Sequence, residues 1–458
     1  MNFGHIKNIH FVGIGGIGMS GIAEILTNYD LTISGCDAAR SATTERLGRG
    51  GIEVVIGHDP SHADRADLLV ISSAIRRDNP EVERARAVRV PVIRRAEMLG
   101  ELTRLKRGIA VAGTHGKTTT SAMIAMILAE AGLDPTLIVG GVLRNLEKSA
   151  RLGSGEYLVV EADEYDRSFL TLYPHLAVVT NIEADHLDIY RDLDDIRATF
   201  AEFVRRVPFY GAVIACSDDS NVIDLLSHVE KREIRYGLSP EANLRAVDLR
   251  FDGRGARYRL ERDGESVGEV RLRVPGEHNV RNSLAAIAVA LELDVPFDTA
   301  AAALQKFDGV ERRFQILGAC HGATVVDDYA HHPTEVRATL EAARHGYPGR
   351  RIVALFQPHL YSRTRDFASD FAEALSVADL AWVAPIYPAR EEPIEGVTSA
   401  LITGSASTRG MKQVHAIEGD LEAIANSIEK ELSNNDIFIT LGAGDVYKVG
   451  HMLTGGAA

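Results

Sequence analysis

The chain has 458 residues, which is more than one hydrophobic core usually supports, so two or three domains are expected. Hydrophobic residues make up 45% of the chain and charged residues 25%, and these ordinary globular values exclude a disordered or collagen-like protein. The formal net charge of -14 disfavours a nucleic-acid-binding protein, because neutralising phosphates requires clustered Lys and Arg.

The cysteines and the N-terminus indicate the compartment. Cys36, Cys216 and Cys320 are far apart and form no Cys-x-x-Cys or Cys/His spacing, so the sequence predicts neither a disulfide framework nor a structural zinc site. The N-terminal residues contain no apolar signal segment, and no apolar run is long enough to cross a bilayer. We therefore expect a cytoplasmic protein that is not inserted in a membrane.

The first predicted block has the pattern of an α/β domain, in which short β-branched runs alternate with helical stretches. A strand is predicted at Ile9–Val12, and after a glycine-rich turn a helix is expected from about Ser20. Apolar Ile22, Ile25 and Leu26 lie on one face of that helix. Two further strands and the basic stretch that ends the block are Glu53–Ile56, Leu68–Ser72 and Arg104–Arg107.

The glycine-rich turn Gly13-x-Gly15-x-x-Gly18, followed by Asp37, matches the dinucleotide-binding fingerprint. Its glycines allow a pyrophosphate to approach the N-terminus of a helix, and an acid in this position binds a ribose hydroxyl. A UDP-sugar contains the same two groups as NAD. An NAD-dependent dehydrogenase and a non-catalytic UDP-sugar or nucleotide sensor therefore remain open beside an enzyme that acts on a UDP-sugar.

A second block begins with a predicted strand at Gly108–Ala112, which runs into the loop Gly113-Thr-His-Gly-Lys-Thr118 and a helix ended by Gly132. Glycines let backbone N–H groups approach phosphate oxygens. The lysine can neutralise the β- and γ-phosphates of a nucleotide, and the last threonine can bind Mg2+. Val111 stands where the common form of this motif has its leading glycine, so the loop is a shortened phosphate-binding loop.

Two acidic clusters follow predicted strands of the second block. Glu161–Asp166 comes after the strand Tyr157–Val160, and Asn181–His186 comes after the strand Leu176–Thr180. Open α/β sheets bind ligands at these strand ends. Carboxylates and an imidazole beside a triphosphate site match what Mg2+ coordination needs, whereas a solvated charged loop is the other interpretation of each cluster.

The remaining sequence predicts an edge of hairpins and a third α/β block. Residues 236–274 alternate and are rich in charge, which predicts antiparallel hairpins, and a helix is expected at Asn279–Leu293. In the block after Arg312-Arg-Phe314, the polar loops Asp327–Pro333 and Gln357–Arg365 each follow a strand, so they are either ordinary turns or parts of a site. Strands are predicted at Thr324–Val326, Ile352–Phe356, Leu380–Pro385 and Ile437–Leu441.

Seven motifs, taken in chain order, resemble those of the Mur ligase family and cover nearly the whole chain. They are Gly13-Ile-Gly-Gly-Ile-Gly-Met-Ser-Gly21, Gly113-Thr-His-Gly-Lys-Thr118, Glu161-Ala-Asp-Glu164, Asp185-His186, Gly276-Glu-His-Asn279-x-x-Asn282, Arg312-Arg-Phe314 and Asp328-Tyr-Ala-His-His-Pro333. The resemblance implies an N-terminal Rossmann-like domain for the UDP-sugar, a central P-loop ATPase domain with a mostly parallel sheet, and a C-terminal Rossmann-like domain that contacts the amino acid and the nucleotide. With the boundaries drawn from the sequence, these domains are residues 1–104, 105–311 and 312–458.

The resemblance also implies roles for single residues. Catalytic roles are expected for Lys117, Glu161, His186 and Arg363, and metal ligation is expected from Thr118 and Glu161 for a first Mg2+ and from His186 for a second. ATP binding is expected from Gly113, Thr114, His115, Gly116, Lys117, Thr118, Thr119, Asn279, Asn282, Arg313 and Asp328, with the two asparagines near the adenine. Substrate binding is expected from Gly15, Gly16, Gly18, Asp37, Ser72, Ser73, Tyr329, His331, His359 and Arg363.

Within the family, the first motif and the loop Phe356-Gln-Pro-His359 resemble the branch that joins L-alanine to UDP-N-acetylmuramate through an acyl phosphate, using ATP and Mg2+. Relatives that add later residues use a carbamylated lysine after the Asp-His motif, and no lysine occurs here from Leu187 to Glu230. Leu360 stands where the alanine-adding branch commonly has arginine. Tyr165 also occurs in ligases that recycle the intact tripeptide, so such a ligase is the alternative. A monomer or weak homodimer is expected.

Overall fold

The computed structural model describes residues 3–72, 74–143, 148–187, 189–253, 255–389 and 391–456, and side chains are not described for residues 17 and 140–149. Ser73, a predicted substrate-binding residue, lies outside the described residues. The chain divides into two compact units. The first unit comprises Met1–Val247, Leu260–Gly268 and Arg281–Leu304, and the second comprises Asp248–Arg259, Glu269–Val280 and Gln305–Ala458.

The first sheet has five parallel strands with helices between them. Its elements are β1 Asn8–Val12, α1 Ile17–Leu26, β2 Thr32–Asp37, α2 Ala42–Arg49, β3 Glu53–Ile56, a 3-10 helix Pro60–Arg65, β4 Leu68–Ile71, α3 Pro80–Ala87, β5 Val92–Arg94 and α4 Arg95–Leu105. The strand order is β3-β2-β1-β4-β5, which is the Rossmann order without its sixth strand. Ile9, Phe11 and Val12 of β1 are fully buried, as a central parallel strand covered on both faces requires.

The second sheet has ten strands in the order β15-β14-β13-β12-β11-β10-β6-β9-β7-β8. Its elements are β6 Arg107–Ala112, α5 Lys117–Glu130, β7 Thr136–Leu143, β8 Lys148–Arg151, β9 Tyr157–Ala162, a 3-10 helix Tyr165–Thr171, β10 Leu176–Val179, α6 Leu193–Arg205, β11 Ala212–Cys216, α7 Ser220–Ser227, β12 Glu233–Gly237, β13 Leu244–Asp252, β14 Gly255–Arg262, β15 Glu265–Leu272, α8 Glu277–Glu292 and α9 Phe297–Gln305. The strands from β12 to β9 pair in parallel, so the carboxyl ends of β6, β9 and β10 meet at one edge of the sheet.

The third sheet has six strands in the order β16-β17-β21-β18-β19-β20, and β16 is an antiparallel edge strand on an otherwise parallel sheet. Its elements are β16 Gln315–Cys320, β17 Ala323–Asp328, α10 Pro333–Gly346, β18 Arg351–Phe356, α11 Tyr361–Leu375, β19 Leu380–Val383, α12 Ala400–Thr408, β20 Val414–Ala416, α13 Leu421–Glu431, β21 Asp436–Leu441 and α14 Tyr447–Thr454. Hydrophobic clusters fill both faces of this sheet, and β18 and β21 contribute to each cluster.

The α/β fold class with mostly parallel sheets is confirmed, and the prediction of an edge at residues 236–274 is confirmed by β15 at the end of the sheet order. Several boundaries were wrong. Helix α1 begins at Ile17 rather than near Ser20, β9 continues to Ala162 and so includes Glu161, and β17 ends at Asp328. No helix of the described residues is both long and apolar enough to span a membrane.

Candidate functional site

The loop between β6 and α5 is shaped by two glycines that no other residue could replace without strain. Gly113 has φ +140°, and a Cβ on it would lie 2.0 Å from Thr180 Oγ1. Gly116, the residue before α5, has φ +83°, and a Cβ there would lie 2.6 Å from Asn282 Oδ1. The loop therefore presents backbone directly before a helix N-terminus, which is the arrangement that suits a phosphate.

Lys117 is the charged residue of this loop. Its Nζ donates hydrogen bonds to the carbonyl oxygens of Gly113 at 2.6 Å and Thr114 at 3.1 Å, and to Glu164 Oε2 at 2.8 Å. Burial opposes the charge, yet the carboxylates of Glu164 and Asp163 raise the pKa of Lys117 above its usual value. The lysine is therefore a fixed positive charge over the loop at any physiological pH.

The end of β10 holds the loop from the neighbouring strand. Thr180 Oγ1 donates to the carbonyl of His115 at 2.6 Å, and the Asn181 side chain both accepts from the backbone N–H of His115 at 2.8 Å and donates to its carbonyl at 3.1 Å. Glu183 N donates to Thr114 Oγ1 at 2.9 Å. These bonds fix the positions of Thr114 and His115, two of the predicted ATP-binding residues.

A group of possible metal ligands lies beside the loop. The ligand atoms of Asp163, Glu164 and His186 all lie within 4.8 Å of one another. His186 has φ +53°, its Nε2 is 3.8 Å from Glu164 Oε1, and its backbone N–H donates to Asp185 Oδ1 at 2.8 Å. Two carboxylates and an imidazole next to a phosphate-binding loop fit a divalent cation that keeps water and phosphate as its other ligands.

The other predicted residues of the first unit occupy different parts of this site. Glu161 stands in β9 opposite Val111 of β6, one register step before the strand ends. Thr118 is half-buried and Thr119 is buried in the first turn of α5. Asn282 is buried in α8, and its side-chain oxygen occupies the space next to Gly116. In the second unit, Asn279 is buried and donates to the carbonyl of Pro275 at 2.7 Å.

The N-terminal glycine turn forms a second candidate phosphate site. Asp37 ends β2, and its Oδ2 accepts a hydrogen bond from Gly15 N at 2.8 Å, so this acid stabilises the turn itself. A Cβ on Gly13 would lie 3.1 Å from Ser72 Cβ, which places Ser72 against the turn. Gly16 is the N-cap of α1, and a Cβ on Gly18 would lie 2.9 Å from Arg95 Nη1.

In the second unit, Asp328 is buried at the end of β17. Its two carboxylate oxygens accept hydrogen bonds from the backbone N–H groups of Phe314 and Ala330, each at 2.8 Å. Burial raises the pKa of Asp328 to about 6. Arg313 Cζ lies 5.3 Å from the centroid of the Tyr329 ring, and Arg313 Nη1 lies 3.4 Å from Glu335 Oε1.

Three aromatic rings and a loop with a left-handed residue lie at the carboxyl ends of strands in the second unit. His331 lies with its ring centroid 5.9 Å from that of His359, and His359 stacks on Tyr387 with centroids 5.8 Å apart. Leu360 has φ +73° and precedes α11, where Arg363 is buried in the first turn. The carboxyl ends of β17 and β18 therefore bring the two polar loops together, although these loops are far apart in sequence.

Sequence analysis gave no individual role to Glu164, Asp163 or Asn181. Each belongs to one of the two acidic or polar clusters, but the clusters give no indication of which side chain points to the loop. Which of these side chains reach the loop depends on β9 and β10 lying on either side of β6. That arrangement is a property of the sheet order and not of the local sequence.

Models of protein families match three successive parts of the chain. Residues 8–107 match the description Mur ligase family, catalytic domain, residues 111–290 match Mur ligase middle domain, and residues 312–444 match Mur ligase, glutamate ligase domain. Together they cover well over half of the chain.

Individual relatives are similar over nearly the full length. A UDP-N-acetylmuramate--L-alanine ligase from Geobacter sp. (strain M21) is 50% identical over 451 residues, which is 98% of each chain. One from Myxococcus xanthus (strain DK1622) is 48% identical over 97% of this chain and 94% of its own. Among solved structures, UDP-N-acetylmuramate-alanine ligase from Thermotoga maritima has a TM-score of 0.79 at 31% identity, and a murein peptide ligase from Psychrobacter arcticus 273-4 has 0.69 at 26%, each covering 98% of both chains.

Proposed function

The chain belongs to the Mur ligase family, and from this premise we propose that it joins L-alanine to UDP-N-acetylmuramate, with ATP converted to ADP and phosphate. The reaction is a step of peptidoglycan precursor biosynthesis. The observation that carries the proposal is the part-buried ammonium of Lys117 over a glycine loop, beside a group of possible metal-ligating side chains, in a chain about half identical to alanine-adding ligases.

The chemistry requires activation of a carboxylate, which is a poor electrophile in its ionised form. An oxygen of the muramoyl carboxylate attacks the γ-phosphorus of ATP, and the bond to ADP breaks to leave an acyl phosphate. The amine nitrogen of L-alanine then attacks the acyl carbon, phosphate leaves, and the nitrogen loses its proton as the amide forms. Both steps gather negative charge at the transferred phosphoryl group, so the protein's contribution is positioning and charge neutralisation.

The first unit supplies the groups for phosphoryl transfer. The backbone of residues 113–116 would receive phosphate oxygens, and Lys117 would neutralise the charge that develops between the β- and γ-phosphates. We propose that Mg2+ is bound by Thr118 and Glu161, and by His186 with the carboxylates near it. The metal would polarise the γ-phosphoryl group and shield its charge.

The remaining candidate residues are proposed to bind the substrates. The turn around Gly15 and Gly16, where a backbone helix N-terminus is exposed, suits the pyrophosphate of the UDP moiety. In the second unit, Arg363 and His359 are proposed to recognise carboxylate groups of the substrates, since a guanidinium and an imidazole donate hydrogen bonds to carboxylates. Asn282, Arg313 and Asp328 are proposed as nucleotide contacts.

Phosphate release tests the proposed reaction. Purified chain is mixed with Mg-ATP and UDP-N-acetylmuramate, and release is compared with L-alanine, glycine, L-serine or L-Ala-γ-D-Glu-meso-diaminopimelate. We expect release to depend on L-alanine and to stop when EDTA removes divalent metal. Release only with the tripeptide would replace the proposal with the recycling ligase, and reduction or oxidation of a nicotinamide cofactor without ligation would support a dehydrogenase.

We propose that the protein acts in the cytoplasm, where nucleotide-activated precursors and ATP are present. We propose a monomer or weak homodimer, which sedimentation velocity would test. The domain boundaries near residues 104 and 311 stay predictions, and limited proteolysis followed by mass spectrometry would locate them.

A further inference from the structure

A buried group of metal-ligating side chains lies in the first sheet, away from the phosphate-binding loop. It consists of His10 on β1, Cys36 on β2, His62 in the 3-10 helix and Glu81 in the first turn of α3. One ligand atom from each residue lies within 4.8 Å of all the others. Glu81 and Cys36 are fully buried, and His10 is nearly so.

The distances within the group are those of atoms that converge on one point. Glu81 Oε1 lies 3.0 Å from Cys36 Sγ and 3.3 Å from His62 Nδ1, and Glu81 Oε2 lies 3.1 Å from His10 Nε2. A tetrahedral zinc ion with bonds of about 2.0–2.3 Å would separate its ligand atoms by about 3.3–3.8 Å. Since all four ligand atoms lie within 4.8 Å of one another, side-chain movements of up to about 1 Å would admit an ion.

The hydrogen bonding of the group also points to a ligand. Three of its buried polar atoms, His10 Nε2, His62 Nδ1 and Glu81 Oε2, make no hydrogen bond of good geometry, although each imidazole nitrogen lies within ion-pair distance of a Glu81 oxygen. Buried polar atoms are normally hydrogen-bonded, so several such atoms facing one another require an explanation. A metal ion would use the lone pairs of all three atoms at once.

Neighbouring groups orient the ligands as they do around protein-bound metals. His10 Nδ1 is hydrogen-bonded to Ser34 Oγ at 2.9 Å, which directs the other ring nitrogen to the group. His58 Nδ1 lies 3.1 Å from Glu81 Oε1 and 3.3 Å from Cys36 Sγ. Metal-ligating histidines typically make such a second hydrogen bond through the nitrogen that does not bind the metal.

The charges of the group suit a divalent ion of the zinc type. The Cys36 thiol donates to Glu81 Oε1 at 3.0 Å in the described arrangement, so the two groups share one proton-bearing contact. With a metal bound, the thiol proton would leave, and a thiolate and a carboxylate would balance two positive charges while both imidazoles stay neutral. One sulfur, two nitrogens and one oxygen favour Zn2+ over Mg2+ or Ca2+, which prefer oxygen ligands.

We propose that His10, Cys36, His62 and Glu81 form a closed, four-coordinate site for one zinc-type ion in the first sheet. The site is structural, because all four positions are protein side chains and none is left for a substrate or water. It lies directly beneath the glycine turn, since the backbone N–H groups of Gly13 and Ile14 donate to the carbonyl of Cys36 at 2.9 and 3.0 Å. An ion would thus hold β1, β2 and α3 together next to the turn.

Cobalt substitution tests the proposal on the full-length chain. Untagged protein is treated with chelator and titrated with Co2+ in the absence of nucleotide. We expect a thiolate-to-cobalt charge-transfer band, intense visible bands of a tetrahedral site, and saturation at one equivalent that added Zn2+ reverses. Cobalt at the carboxylates near His186 could not produce the charge-transfer band, because no described cysteine belongs to that group.

Cysteine variants identify the ligand. C36S should lose the charge-transfer band, whereas C216S and C320S, which remove the other two cysteines, should keep it. Zinc should raise the melting temperature of the wild type and of both controls but not that of C36S. No charge-transfer band in the wild type would overturn the proposal even if C36S failed to fold, and a band that persists in folded C36S would overturn it as well.

Discussion

At the scale of single residues, Lys117 makes a structural contribution in addition to the catalytic role proposed for it. Its ammonium is part-buried against Glu164, so beside the phosphate charge that it is proposed to neutralise, the lysine compensates a buried carboxylate. Removing one member of a buried ion pair leaves the other uncompensated, at a typical cost of about 3–5 kcal/mol. Loss of activity in a Lys117 variant must therefore be separated from loss of fold.

Lys117→Ala should lower kcat by about 10³-fold or more, because a central electrostatic contact to the transferred phosphoryl group is lost. Lys106→Ala is the matched control, since Lys106 is also part-buried and donates to two carbonyls, those of Gly153 and Gly155, but lies outside the site. Steady-state phosphate release, with circular dichroism to verify folding, measures both variants. A folded Lys117→Ala enzyme with near-normal kcat would contradict the assignment of Lys117.

The buried carboxyl of Asp328 makes stability depend on pH. Burial raises its pKa to about 6 from 3.8, so the folded state binds a proton that the unfolded state releases between these values. The contribution of the protonated carboxyl is present below pH 3.8 and is lost as pH rises to about 6. Relative to Asp328→Asn, the wild type should therefore lose up to about 3 kcal/mol between pH 4 and pH 7.

Urea unfolding followed by the fluorescence of Trp382, the single tryptophan and a residue of β19, measures this effect in the second unit. Asp436→Asn is a control for which the opposite dependence of stability on pH is expected. Although burial opposes ionisation of Asp436, hydrogen bonds from Arg351 lower its pKa, so the wild type should gain stability over that variant as pH rises. Parallel pH profiles for the two variants would disprove the interpretation.

At the scale of secondary-structure elements, the glycine loop depends on close packing as well as on backbone conformation. Gly113 and Gly132 flank α5 and both have positive φ, but only Gly113 has a neighbour where a Cβ would stand. Gly132→Ala should cost about 1–2 kcal/mol through the left-handed conformation alone. Gly113→Ala should in addition displace the loop from Thr180 and lower kcat/KM for ATP by about 10²-fold.

Initial rates at varied ATP concentration and thermal unfolding separate these contributions. Gly132→Ala should melt earlier but retain its kcat/KM for ATP, since the end of α5 lies a full helix away from the loop. If both variants lost the same fraction of kcat/KM, the contact with Thr180 would not be what positions the loop.

The sequence predicted those strands, loops and helices that a pattern within one short segment indicates. The strand, glycine loop and helix around Lys117 were recognised because glycines, β-branched residues and an apolar helix follow one another within a short segment. Strands β7, β8 and β11 were not identified. For β11, whose five residues are all buried, the reason is that a short buried strand resembles a buried helix segment in sequence. Glu164 and Cys36 were not singled out for a site, since their neighbours come from distant strands and helices that only the sheet order brings together.

At the scale of the whole molecule, the two compact units each have their own hydrophobic clusters, so we expect unfolding with more than one transition. Trp382 reports the second unit alone, whereas far-ultraviolet circular dichroism reports helices of both. Ile439 on β21 and Ile214 on β11 are fully buried in the second and first unit, respectively. Each Ile→Ala change should remove about 2–5 kcal/mol from its own unit.

Ile439→Ala should therefore shift the fluorescence transition to lower urea concentration. Ile214→Ala should leave the fluorescence transition unchanged and shift only that part of the circular dichroism transition that comes from the first unit. The two variants are matched, because each truncates one fully buried isoleucine in a parallel strand. If either change moved both transitions equally, the chain would unfold as one cooperative body. In that case a destabilising substitution in one unit would reduce the folded population of the other, and single-site stability effects could no longer be assigned to the unit that contains the residue.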